Sequence, residues 1–140
     1  MGRILGIDYG RKRIGLAITD PLGIFASPLK TVKADEFDKF LSDFNRIEQV
    51  DAFVIGYPVQ LNNQPSESVK YVNPFIRKLE KSFPEKPIHL VDERFTSGMA
   101  LQTMIEGGVR KKNRQDKSLV DKISAAIILQ SFIDKNKRQK

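Results

Sequence analysis

The sequence contains no cysteine, which excludes disulfides and thiolate metal sites. That absence fits a reducing compartment. Its single histidine, His89, stands between Ile88 and Leu90 on an apolar stretch and reads as structural. No apolar run approaches the length of a membrane span. Met1-Gly2-Arg3 leads straight into a strand-like run, without the architecture of a signal peptide. Gly2 would suit myristoylation, but Gly6 stands where that signal needs Ser or Thr. The expectation is a soluble, cytoplasmic protein with no membrane partner. Internal repeats and low-complexity linkers are also lacking. Residues 1–140 are therefore expected to form one domain, with a basic tail from about Lys135 that frays.

What the chain has in excess is positive charge. Lys and Arg number 24 against 17 Asp and Glu, a net charge of +7. Clustered cations attract polyphosphate and release its counterions, whereas scattered ones merely solvate a surface. Two clusters favour the first reading. One is Arg11-Lys12-Arg13; the other is Arg110-Lys111-Lys112 with Arg114 and Lys117.

The apolar pattern predicts an α/β domain. Ile4 to Ile7 reads as a strand ending at Asp8, and Tyr9-Gly10-Arg11-Lys12 as a hairpin connection. Ile14, Leu16 and Ile18 then share one strand face, while Gly15 and Ala17 lie on the other, where something packs closely. Asp20-Pro21-Leu22-Gly23 is a turn, and Ile24 to Val32 a third strand of the meander. The period then becomes helical. Asp35 can cap a helix carrying Phe37, Phe40, Leu41, Phe44 and Ile47. Ala52 to Ile55 is a buried strand. Ser66 can start a helix with Val69, Val72, Ile76 and Leu79 on one face, which Pro74 should kink or delay. Ile88 to Val91 is the last strand. A helix with Leu101, Met104 and Ile105 inside should stop at Gly107-Gly108, and a final helix begins near Ser118. The expected architecture is a mixed five-stranded sheet flanked by helices: an antiparallel three-stranded meander, then two further strands.

Three acidic residues stand where these elements begin or end. Asp8 closes the first strand, Glu93 closes the last, and Asp121 falls in the first turn of the final helix. The carboxyl ends of strands form the functional edge of open α/β sheets. Carboxylates gathered there repel one another, and a hard divalent cation relieves the repulsion. Oxygen donors without His or Cys favour Mg²⁺ or Mn²⁺ over Zn²⁺. Two such ions about 3.5–4 Å apart can activate a water and stabilise the leaving oxygen of a phosphodiester. Each acid also has a plainer role open to it. Asp8 can bond its own hairpin turn. Asp92 and Glu93 can pair with Arg94. Asp121 can complete a capping box with Ser118, with Asp in place of the usual Glu or Gln. Tyr9 and Arg13 flank Asp8 and can contact nucleic acid or simply solvate the hairpin. Thr96 and Ser97 are helix-cap candidates, and a helix N-terminus also binds phosphate.

The segment from Gly6-Ile7-Asp8-Tyr9-Gly10 through Arg11-Lys12-Arg13 to Ile14-Gly15-Leu16-Ala17 closely resembles the YqgF family, also called the RuvX or pre-16S rRNA nuclease family. So does Asp20-Pro21-Leu22-Gly23. Val54-Ile55-Gly56-Tyr57-Pro58 is similar to that family's Gly-Leu-Pro segment. Asp92-Glu93-Arg94-Phe95-Thr96-Ser97 is similar to its Asp-Glu-Arg box, and Asp121-Lys122-Ile123-Ser124-Ala125-Ala126 to its C-terminal Asp-x-x-Ala-Ala helix. The motifs occur in order across nearly the whole chain. The resemblance implies an RNase H-like fold related to the RuvC resolvases. It implies Asp8, Glu93 and Asp121 as a metal-holding catalytic triad. It also implies maturation of the 5′ end of the small-subunit ribosomal RNA precursor in bacterial cytoplasm. Two departures bear on substrate contacts rather than on the triad. Tyr57 replaces the usual Leu, and Leu61-Asn62-Asn63-Gln64 lacks the acidic residue and glycine common there.

Within the nuclease reading, precursor rRNA is the favoured partner and branched DNA the competitor. A junction resolvase needs two sites and hence a dimer, whereas an RNA trimmer can act as a monomer. A non-catalytic nucleic-acid-binding module is the alternative of another class, and retention of all three acids argues against it. An ATP-dependent kinase is a third, since Asp8-Tyr9-Gly10 is similar to the phosphate loop of the actin and hexokinase fold. Those proteins close two such domains around the nucleotide, and 140 residues supply one.

Overall fold

The computed structural model describes residues 2–58, 69–92 and 117–138. Strands β1 (Arg3–Asp8), β2 (Arg13–Thr19) and β3 (Ala26–Lys33) form an antiparallel meander. Strand β4 (Val50–Tyr57) pairs parallel to β1, and β5 (Ile88–Asp92) parallel to β4. The sheet is thus mixed and five-stranded, in the order β3-β2-β1-β4-β5. A 3₁₀ turn (Ala34–Glu36) leads into α1 (Phe37–Ile47); α2 (Val69–Ser82) and α3 (Lys117–Arg138) are the other described helices. Ser66, the helix expected around Leu101 and the basic loop from Arg110 to Arg114 lie outside the described residues.

Strand alternation divides the core in two. Leu5, Ile7, Ile14, Leu16, Ile18, Phe53 and Ile55 face one side and pack with Phe37 and Leu41 of α1 and Val72, Ile76 and Leu79 of α2. Each such side chain contributes roughly 1.5–3 kcal/mol when fully buried. The opposite face carries Ala17 and Val54 against Ala125, Ile128, Leu129 and Ile133 of α3, with Ile4 and Val91 alongside.

Small residues on that second face set how closely α3 approaches. A methyl group at Gly15 would sit 2.1 Å from the backbone oxygen of Asp121, and one at Gly6 2.8 Å from the Leu129 Cβ. The close packing expected opposite Ile14, Leu16 and Ile18 is therefore this helix lying on the sheet. Thr31 Oγ1 donates to the Ser118 carbonyl, and the Gln130 side chain accepts from the Ala26 N–H at 2.8 Å, fastening α3 along β3.

Several local expectations need correction. Strand β3 starts at Ala26 rather than Ile24, because the Asp20 carboxylate takes the N–H groups of Ile24 (2.7 Å) and Phe25 (3.2 Å). Gly23, at φ 70°, closes this turn in the left-handed region that favours glycine. Asp35 does not cap α1. It lies inside the 3₁₀ turn, and Glu36 precedes α1 without a side-chain capping bond. Ile47, read as part of the buried stripe, is 81% exposed. Strand β4 extends beyond Ala52–Ile55 at both ends because its partners β1 and β5 continue the ladder. Pro74 sits inside α2 without delaying its start.

Two outcomes are expected. Gly15→Ala forces α3 off the sheet and should cost about 1–3 kcal/mol in urea unfolding; a loss under about 0.5 kcal/mol would mean that α3 slides freely. The second concerns pH. Burial pushes the Asp20 carboxyl up, but the N–H groups of Ile24, Phe25 and Gly23 outweigh it and hold it below its usual value. A carboxyl lowered by folding stabilises above its unfolded pKa of about 3.9 and loses that contribution as pH falls through the folded value. The stability gap between wild type and Asp20→Asn should therefore be largest at neutral pH and shrink below about pH 4. A gap that widens on acidification would contradict this turn chemistry.

Candidate active site

Asp8 is the last residue of β1 and pairs across the ladder with Gly15 of β2. Opposed residues of an antiparallel pair stand about 4.5–5.5 Å apart. Asp8 shares the face of Ile4 and Gly6, which is the face α3 covers. The Asp121 backbone lies directly over Gly15. Helix packing thus delivers a second carboxylate to the end of β1, from a residue 113 positions away (121 − 8). Along β5, His89 stacks on Phe132 of α3 with ring centroids 4.6 Å apart, and Val91 packs on the same side. Glu93 follows Asp92 in sequence and lies outside the described residues, with Arg94, Thr96, Ser97, Arg110, Lys111, Lys112 and Arg114.

Asp121 is not a helix cap. The described helix already includes Lys117, so Asp121 falls beyond its first turn. Its carboxylate instead accepts from Arg13 Nε at 2.9 Å, with 24% of the Asp121 side chain exposed and 38% of Arg13. A pair this wet contributes modestly to stability.

The remaining hairpin residues spread over a cleft of 790 Å³ lined by Tyr9, Arg11, Lys12, Arg13, Tyr71, Lys117 and Asp121, together with Gly56 and Pro58. Tyr9 is partly buried against Phe75 of α2, ring centroids 4.6 Å apart, so its ring serves packing as well as the cleft. The Lys12 carbonyl accepts from the Ala34 N–H at 2.9 Å, fixing the hairpin to the start of the 3₁₀ turn. The Arg11 guanidinium lies 4.1 Å from the centroid of the Tyr71 ring. Tyr57, the departure noted in the sequence, donates its hydroxyl to Asn73 Oδ1 at 2.9 Å. A leucine could not make this bond between β4 and α2. Sequence reasoning missed Tyr71, which lies on α2 between Lys70 and Val72 and looked like helix surface.

Among the described residues no three His, Cys, Asp or Glu side chains gather closely enough to hold a metal ion. Asp8 and Asp121 contribute two carboxylates to one edge. Both are hard oxygen donors, and a cationic group already sits on one of them, so the residues present fit a hard divalent cation.

The family model described as RuvX, Holliday junction resolvase, matches residues 2–135. A relative from Parabacteroides distasonis is 52% identical, with 99% of each chain covered. One from Porphyromonas gingivalis is 54% identical over 96% of this chain and 97% of its own. Both bear the name "Putative pre-16S rRNA nuclease". Among solved structures, fowlpox virus resolvase in complex with Holliday junction DNA superposes with a TM-score of 0.59 at 14% identity, covering 96% of this chain and 98% of that one. RuvC from T. thermophilus, in complex with its junction substrate, gives 0.58 at 16%, covering 98% and 96%. The fold is RNase H-like, of the RuvC type.

The Tyr57 bond carries an expected outcome. Tyr57→Phe should lower stability by about 0.5–1.5 kcal/mol, the net worth of one hydrogen bond, while Asn73→Ala in the Tyr57→Phe background should add little more. Additive losses in that double mutant, measured by thermal unfolding, would show that the two side chains are not coupled.

Proposed function

Because the chain belongs to the RuvX family of nucleases, we propose that it hydrolyses phosphodiester bonds with divalent metal, acting on the 5′ end of precursor small-subunit rRNA. The observation that carries the metal-dependent reading is the approach of α3 over Gly15, which brings Asp121 to the edge where Asp8 ends β1. In this reading Asp8 and Asp121 hold the cation together with Glu93. Mg²⁺ or Mn²⁺, when bound, supplies Lewis-acid activation of water and charge stabilisation at the leaving oxygen.

The chain's own residues do the rest. Arg11, Lys12 and Lys117 line the cleft and draw the phosphate backbone toward the carboxylates. Arg13 neutralises Asp121 while no other cation does, which limits repulsion between the two acids. Arg110, Lys111, Lys112 and Arg114 precede Lys117 by three to seven residues, and we assign them to the same backbone contacts. Arg94, Thr96 and Ser97 follow Glu93, and we assign them to phosphate binding beside it. Residues 1–140 act in this reading as one nuclease domain, and a precursor rRNA substrate would place it in the cytoplasm. Among the described residues no helix is long and apolar enough to cross a membrane.

The test is cleavage of 5′-extended precursor rRNA and of a four-way DNA junction, side by side, with Mg²⁺, with Mn²⁺ and with chelator. Asp8→Asn keeps the shape and removes one charge. It should abolish cleavage while melting holds or rises, since one source of repulsion is gone. Full activity of Asp8→Asn would sink the metal-site reading, and cleavage of the junction alone would replace RNA with branched DNA.

A further inference from the structure

We propose that Tyr71 and Arg11 form a binding subsite for an unpaired nucleobase, which makes the cleft select single-stranded over duplex nucleic acid. This rests on the nuclease reading above and adds to it the conformation of the substrate. The Arg11 guanidinium carbon lies over the Tyr71 ring, 4.1 Å from its centroid. Tyr71 is 40% exposed, Arg11 is exposed, and both open onto the cleft that holds Asp121. Tyrosine faces and guanidinium planes are the two surfaces on which unpaired bases stack. In a duplex each base face is covered by its neighbour, so the platform offers nothing to it. Phosphates flanking a stacked base would meet Lys12 and Lys117, the lysines of the cleft.

The plainer role of the pair, pinning the hairpin to α2, is already filled by other contacts. Tyr9 against Phe75 joins the hairpin to α2, Arg13 joins it to α3, and the Lys12 carbonyl joins it to the 3₁₀ turn. Tyr57 holds α2 to β4 independently. The exposed Arg11–Tyr71 pair is thus not the sole tie between hairpin and α2, and it opens onto the cleft that Asp121 also lines.

The experiment measures binding by fluorescence anisotropy in EDTA, for wild type, Tyr71→Ala and Tyr71→Phe. The probes are a labelled single-stranded RNA, the same sequence as a duplex, and the same strand with abasic sites. Tyr71→Ala should weaken single-strand binding roughly tenfold, the effect of losing one stacked base. Duplex and abasic binding should stay within about twofold, and Tyr71→Phe should bind as wild type does. Equal losses on single strand and duplex would mean that the pair only supports the hairpin, and the subsite would be refuted. Unchanged single-strand binding would refute it too. If wild type bound none of the three probes, the nuclease reading itself would fall. Loss confined to Tyr71→Ala leaves that reading standing and supports the subsite.

Discussion

Helix α3 can reach the sheet only because Gly6 and Gly15 carry no side chain, and the candidate site depends on that contact. A single methyl at Gly15 would collide with the Asp121 carbonyl. The collision would move the residue whose carboxylate pairs with Arg13. Burial of Ala125, Ile128, Leu129 and Ile133 drives the helix down, and the glycines let it arrive. Packing and chemistry are here one constraint. The hydrophobic effect positions a charged group that the hydrophobic effect alone would exclude.

That constraint explains why the hairpin between β1 and β2 is so strongly tied. Its residues touch three different elements: Tyr9 meets α2, Lys12 meets the 3₁₀ turn, and Arg13 meets α3. A loose hairpin would let Asp8, at the end of β1, drift relative to Asp121, and paired side chains hold their geometry only on a rigid support. Tyr57 serves the same end from β4. The substitution that departs from the family's usual leucine adds a polar strap to α2, the helix that brings Tyr71 to the cleft.

Much of this was legible in the sequence, and the exceptions have physical causes. Alternation of Ile14, Leu16 and Ile18 against Gly15 and Ala17 located both faces of β2, because a period of two leaves no ambiguity once one face is apolar. The start of β3 was not legible. Ile24 looks like a strand residue, but its N–H goes to the Asp20 carboxylate, a bond that apolar pattern cannot reveal. Asp121 stands deeper in its helix than its spacing from Ser118 suggests. Ser118 and Asp121 have the spacing of a cap, and only the Arg13 contact, 108 residues away, shows that the carboxylate looks elsewhere. Tyr71 escaped notice because an aromatic on the polar side of an amphipathic helix carries no periodic signal.

The last step concerns charge. A nuclease of this kind must draw an anion to a place already occupied by anions. Two carboxylates near a phosphate repel it by an amount that low local dielectric magnifies. The cleft answers this with cations on its walls, Arg11, Lys12 and Lys117, and with Arg13 on Asp121 itself. The excess of +7 over the whole chain is therefore more than a soluble surface. Part of it, Arg11, Lys12, Arg13 and Lys117, lines the cleft that also holds Asp121. Removing that rim would not change the carboxylates, yet it would leave them facing a substrate they repel.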